Sequence, residues 1–276
     1  MTQPGATALV KSLTLSPPSI SLLNSAIVED ETDERWVNGL RYIGESPSTG
    51  EVFNLCGSFT KNVAAASTPL TGTPYGVVAQ DTCSTIGFRT RDFQARATRQ
   101  LLAVESRVIA HELWTNSLGL NPALADPLDV VVTGTTSPES LLYAIGTIEQ
   151  AFYAVSSQRA MIHMRPNILE AIQSLTGSAL RREGNVYFTA MDSVISADRG
   201  YPGTGPTGQA VSTTQEWIYL TTMVQIRHSP VMVVPTGISE AVLRTQNEVT
   251  FFAERAVSAI WDYNTPTFAL NVKRNG

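Results

Sequence analysis

The longest periodic stretch of the chain is residues 91–118, RDFQARATRQLLAVESRVIAHELWTNSL. Its apolar side chains fall at Phe93, Ala97, Leu101, Val104 and Val108, then at Ile109 and Leu113, which is the stripe of an amphipathic helix. No Pro or Gly interrupts it, Asp92 stands where a cap is favoured, and Gly119 with Pro122 closes it. A helix of about 25 residues is roughly 37 Å long, about twice the globular mean. The spacing predicts Leu101 and Val108 buried beneath a sheet. It sets Arg91, Arg99, Arg107 and His111 on the opposite face, flanked by Glu105 and Glu112.

The other elements follow in chain order. Residues 1–35 keep no period and hold too few large apolar side chains to offset the entropy of ordering their backbone, so they are expected to be an arm that neighbouring subunits order. Strands are predicted at 36–43 and 51–55, joined by a Gly/Pro turn as a hairpin. Residues 56–76 are small and polar without a strong period, which reads as either a disordered stretch or an extended loop that reaches a partner. A strand begins at 75–81, and after the long helix come a strand at 128–133 and a helix at 137–157, with Pro138 and Glu139 in its first turn. Its apolar face is Leu141, Leu142, Ile145, Ile148, Phe152 and Val155. Further strands are expected at 160–164, 186–191, 216–227, 231–234, 249–261 and 268–272, and helices at 167–175 and 239–246. A Gly/Pro loop occupies 197–208. Residues 125–235 thus read as an α/β unit, and residues 91–124 and 236–276 as a platform beside it.

Charge narrows the function. Nineteen Lys and Arg against 24 Asp and Glu give a net charge of −5 and a pI near 5.3, unlike a dedicated nucleic-acid grip. Lysine occurs only at Lys11, Lys61 and Lys273. Residues 1–60 carry seven acidic against three basic residues, and residues 61–120 four against six. That asymmetry is compatible with the acidic N-terminal part of one subunit meeting the helix region of another, although such runs are more often simply solvated faces. Cys56 and Cys83 are far apart and outside any CxxC, so reduced thiols are expected. No apolar run is long enough to span a membrane, no secretory signal stands at the N-terminus, and a cytosolic product is the default.

Enzyme motifs are incomplete. GTGPTG at 203–208 matches GxGxxG, but Pro206 interrupts it and a strand is predicted after it where dinucleotide binding needs a helix. His111-Glu112 opens an HExxH pattern whose second His is Thr115, which removes a zinc ligand. His163 and His228 lie in or at the end of apolar strands and read as structural. No GxSxG or P-loop occurs. No catalytic residue, cofactor or metal is expected, and a soluble α/β enzyme is the reading that these absences disfavour.

The order of elements carries more than any motif. An arm, a long loop, a spine helix, a central α/β unit and a returning long strand resemble the major capsid proteins of tailed bacteriophages, of Hong Kong 97-type fold. RDFQARATRQLLAVESRVIAHELWT (91–115), RGYPGTGPTG (199–208) and VTFFAERAVSAIWD (249–262) look like capsid proteins of actinobacterial phages. The resemblance implies an α+β fold with an N-arm (1–35), strands and E-loop (36–90, the loop about 44–76), a P-domain (91–124 with 236–276) and an A-domain (125–235). It implies self-assembly as hexamers and pentamers of an icosahedral head in the host bacterial cytoplasm. The shell would enclose double-stranded DNA without binding it specifically, and portal, scaffolding or decoration proteins would be its partners. Lys61, Arg91, Arg99, Arg107, Arg199 and Tyr201 are the expected assembly-interface residues. Some relatives crosslink a loop Lys to an Asn with help from a Glu; Lys61 lies in that loop, but no Asn or Glu matches. No long scaffolding segment precedes the arm. An encapsulin-type compartment shares the fold and is the nearest alternative.

Overall fold

The computed structural model describes residues 15–43, 69–84, 90–126, 130–133, 138–176, 180–206, 208–212, 214–243 and 248–274. Among them the helices are α1 (Leu22–Ser25), α2 (Thr90–Thr115), α3 (Leu141–Tyr153), α4 (Pro166–Thr176) and α5 (Ile238–Ala241). The strands are β1 (Ile27–Asp30), β2 (Leu40–Ile43), β3 (Pro69–Gly72), β4 (Tyr75–Ser84), β5 (Val130–Thr133), β6 (Ala160–Met164), β7 (Arg181–Glu183) and β8 (Val186–Phe188). They continue with β9 (Val194–Ala197), β10 (Gln215–Thr222), β11 (Gln225–His228), β12 (Met232–Val234), β13 (Val242–Leu243), β14 (Glu248–Ile260) and β15 (Thr267–Lys273).

Two sheets organise these strands. A six-stranded platform runs β1-β11-β14-β12, with β4 and β13 also pairing β14. The other sheet has seven strands in the order β5-β15-β10-β6-β9-β8-β7. β2 and β3 form a separate pair. Burial alternates along β14: Val249, Phe251, Ala253 and Val257 are buried, whereas Phe252 is exposed. The buried side packs against α2, where Phe93 stacks on Phe251 at 6.1 Å. The seven-stranded sheet is covered on both faces. Ile162, Ile218, Leu220 and Leu270 pack with α3 and α4, while Met161, Tyr219 and Ala269 face the core that contains α2. Burial on both faces makes these strands continuously apolar.

The structure corrects the expected stripe of the long helix. Leu101 is fully buried, but Val108 is 39% exposed. The buried line runs Phe93, Ala97, Leu101, Glu105, Ile109 and Leu113. Glu105, expected on a flank, is therefore in the seam, where Arg255 of β14 meets it at 3.6 Å. Removal from water raises the Glu105 pKa and Arg255 partly opposes the rise. The helix stops at Thr115 because Asn116 takes a left-handed φ of 45° and its side chain accepts the Leu120 and Asn121 amides.

The boundaries differ elsewhere too. Glu139 precedes α3: its backbone bridges Val272, so Pro138 and Glu139 are not helical, and Leu142 and Val155 are exposed. The predicted strand 216–227 is two strands in different sheets, β10 and β11. Residues 261–266 make a second crossing, from β14 in the platform to β15 in the seven-stranded sheet. The Asp262 N–H donates to the Thr222 hydroxyl at 2.9 Å, which ties the two crossings together. The closing strand thus lies in the central sheet and β11 and β12 in the platform, which departs from the division by sequence. Residues 36–38 belong to a 3-10 turn, Glu34–Asn38, and β2 pairs β3. The expected partner strand at 51–55 lies outside the described residues, as do Cys56 and most of the extended loop.

Part of the arm is ordered by its own subunit. β1 pairs β11 in parallel, from Ile27↔Gln225 to Asp30↔His228, and Leu22 is fully buried. Strand pairing and the Leu22 N–H bond to Asp198 add to apolar contact in offsetting the entropy of ordering this backbone. Two of these placements can be checked by chemical denaturation. Leu101→Ala and Leu22→Ala should each cost about 2–5 kcal/mol, because each leaves a cavity. Val108→Ala should change stability by about 0.5 kcal/mol or less.

Candidate functional site

Where the arm, the long helix and the Gly/Pro loop meet, one buried carboxylate accepts from all three. Asp198 is 2% exposed. Its Oδ2 accepts the Leu22 N–H at 2.9 Å and the Ser106 hydroxyl at 2.7 Å, and its Oδ1 accepts the Gly200 N–H at 2.7 Å. The last is the local turn that Asp favours two residues before an amide. Gly200 then lies directly on α2, where an added Cβ would sit 2.0 Å from the Arg107 carbonyl oxygen. Only glycine fits so close an approach.

Beyond Gly200 the loop continues inward. Tyr201 is 2% exposed, packs on Trp114 at 5.2 Å and lies 2.8 Å from the Ser196 hydroxyl, which donates to it. Its hydroxyl lies 2.9 Å from His163 Nδ1, and His163 Nε2 lies 2.9 Å from the Thr221 hydroxyl. Thr221 donates its own proton to the Thr222 carbonyl, so it accepts from Nε2–H, and Nδ1 accepts from Tyr201. Burial holds His163 neutral, with its pKa lowered to about 3. The Trp114 indole N–H donates to Thr204. Gly205 presses on Trp217, and β10 follows the loop, so GTGPTG is a packing segment without the helix a pyrophosphate needs.

The predicted interface residues separate. Lys61 lies outside the described residues, and Arg91 is in the first turn of α2 with its side chain outside the description. Arg99 is half-buried; Arg107 and Arg199 are exposed. Arg107, Arg199 and His111 line one cavity of about 490 Å³ with Tyr75 and Glu112. Tyr201 is turned into the core, so its expected place on an interface is corrected: its ring fills the space between Trp114 and His163. Glu112 stands in the last turn of α2. Its carboxylate accepts from the Ser117 hydroxyl and the Leu118 N–H past the end of α2, and His111 lies beside Thr115. Among the described residues no group of three or more His, Cys, Asp or Glu is placed to hold a metal, and no helix is long and apolar enough to cross a membrane.

The acidic run is partly engaged at home. Glu29 meets Arg227 at 2.6 Å, Glu31 meets the same guanidinium, and Asp30 meets His228 at 3.1 Å. Burial first, and then Arg255, lowers the His228 pKa, so the Asp30 contact is to a neutral ring at neutral pH. Sequence reasoning missed Asp198, Ser106 and the Glu105–Arg255 pair. The Asp-Arg-Gly turn signals its own local bond, but the spacing carries no sign of Ser106 or Leu22.

No protein-family model and no curated protein matches the chain. Solved structures do, along almost its whole length. The capsid of a native GTA particle matches with a TM-score of 0.56 at 13% identity, covering 99% of this chain and 95% of that one. The capsid of Ralstonia phage GP4 matches with a TM-score of 0.55 at 10% identity, covering 98% and 96%. The SrpI encapsulin of Synechococcus elongatus matches with a TM-score of 0.58 at 12% identity, covering 99% and 94%. The α+β architecture is therefore the Hong Kong 97-type fold of capsid and encapsulin shells. At these identities the likeness is one of fold.

Two measurements probe the junction. Asp198→Asn turns an amide NH₂ toward donors and should cost about 1–3 kcal/mol for each donor left unpaired, read by urea denaturation. His163 binds no proton in the folded state until pH approaches about 3, while the unfolded chain takes one up near 6.5. Stability should therefore fall as pH drops below 6.5, by up to about 1.4 kcal/mol per unit from this group, and His163→Gln should remove that slope.

Proposed function

We propose that this chain is the major capsid protein of a tailed bacteriophage, which assembles with itself into the icosahedral head shell around the genome. The observation that carries this reading is the length of the match: 94–96% of each shell subunit compared is covered by 98–99% of this chain. An enzyme domain inserted in a shell fold would leave a large uncovered part. In this reading residues 1–35 are the N-arm and about 44–76 the E-loop. Residues 91–124 and 236–276 provide most of the P-domain, and residues 125–235 most of the A-domain. Arg99, Arg107 and Arg199 face neighbouring subunits, and Lys61 and Arg91 are assigned there by the resemblance. Portal protein, separate scaffolding or decoration proteins and enclosed double-stranded DNA complete the particle, which forms in the host cytoplasm. The subunit has no catalytic role.

The encapsulin likeness supports a second reading, a compartment shell around a cargo enzyme. Terminase and portal genes beside this one decide for the phage; a peroxidase or ferritin-like neighbour decides for the compartment. Electron microscopy and sedimentation of the purified protein test both. Closed shells or capsomers are expected, and a stable small oligomer with no larger assembly would overturn both.

A further inference from the structure

The cavity at the C-terminal third of α2 combines features that the isolated subunit leaves incomplete. Arg107 and Arg199 both line it, and neither forms an ion pair among the described residues. Their closeness is built in. Ser106 and Asp198, the residues just before them, share a 2.7 Å hydrogen bond inside, and Gly200, just after, rests on the Arg107 carbonyl. The backbone thus sets the two arginine positions side by side on one cavity, with His111 one turn further along the helix. Two exposed cations on one cavity wall attract an anion from a partner. The carboxylate of Glu112 also borders the cavity, where it accepts from Ser117 and Leu118; against the two arginines it leaves the lining net positive.

A second, independent feature points to the same place. Tyr75 lines the cavity and is 8% exposed, yet its hydroxyl has no hydrogen-bond partner among the described residues. A buried, unpaired hydroxyl costs free energy that a bound acceptor recovers. Two guanidinium groups lining one hollow, with Tyr75 in its wall, suit a carboxylate that draws the buried hydroxyl to it on docking.

The chain carries such a group in surplus. Residues 29–34 hold the carboxylates Glu29, Asp30, Glu31, Asp33 and Glu34 against Arg35 and Arg227. Asp30 is 81% exposed and Asp33 is exposed. We infer that the cavity formed by Arg107, Arg199 and Tyr75 receives a carboxylate from the acidic run 29–34 of a second copy of this chain. The inference rests on the self-assembling reading above and names one contact of that assembly.

The test begins with wild-type shells, counted by electron microscopy. Arg107→Glu with Arg199→Glu should lower shell yield by about tenfold or more through like-charge opposition. Combining it with Asp30→Arg and Asp33→Arg should restore the yield. Tyr75→Phe removes a hydroxyl with no partner in the subunit, so it should leave the melting temperature unchanged while weakening the shells. If the charge variants fail to fold, disulfide trapping replaces them. Arg199→Cys with Asp33→Cys should give an intermolecular crosslink in assembled shells, absent from either single variant. Shells that form normally with the arginines reversed, or that show no such crosslink, overturn the inference and leave the shell function standing. Intact shells that retain less nucleic acid after the reversal overturn it in favour of phosphate. A wild-type protein that never assembles overturns both.

Discussion

At the point where the arm, the long helix and the Gly/Pro loop meet, one carboxylate with no cationic partner among the described residues binds all three. Asp198 satisfies a backbone amide of the arm, a hydroxyl of the long helix and an amide of its own loop. Each donor is buried or nearly so and would otherwise lack a partner. Hydrogen bonds to a charged acceptor are worth about 1.5–3 kcal/mol each, well above neutral ones. From that point the loop runs over α2, the aromatic cluster of Trp114, Tyr201 and Tyr219 fills the space between helix and sheet, and the outer faces of the same residues' neighbours present Arg107 and Arg199.

Glu105 and Arg255 fix the same helix against the platform in a different way. A buried ion pair is a weak source of stability, since both ions lose water, but removing one partner strands the other. The pair therefore discriminates between registers: sliding α2 by one turn along β14 would separate the charges. Apolar contacts such as Phe93 on Phe251 supply the attraction, and the ion pair selects where it acts.

Much of this was legible in the sequence and some was not, for identifiable reasons. The long helix, β6, α4 and β14 were visible because their burial follows a simple period. The seam of α2 was misplaced between Val104 and Val108 because a buried glutamate, Glu105, sits where the pattern asks for an apolar residue. The break between β10 and β11 was hidden because Trp217 to Thr222, Val224 and Ile226 are all buried, so one apolar run crosses two sheets. β1 was invisible because all four of its residues are exposed and its register is set by charges and a backbone ladder. Of the expected interface residues, Arg107 was read as pointing outward and is exposed, and Arg199 is exposed too, while Tyr201 was misplaced because the sequence gives no hint of His163 beneath it. Their convergence on one cavity depends on the Ser106–Asp198 bond, which spans 92 residues.

The paired crossings between the sheets give the subunit a mechanical character. Met223–Val224 and residues 261–266 pass from one sheet to the other side by side, joined by Asp262 and Thr222. Two straps fastened along one line permit folding about that line and resist twisting across it, as a door on two pins does. The core around α2, which both sheets share, limits that folding to small angles, so the two sheets lean on one common helix as they turn.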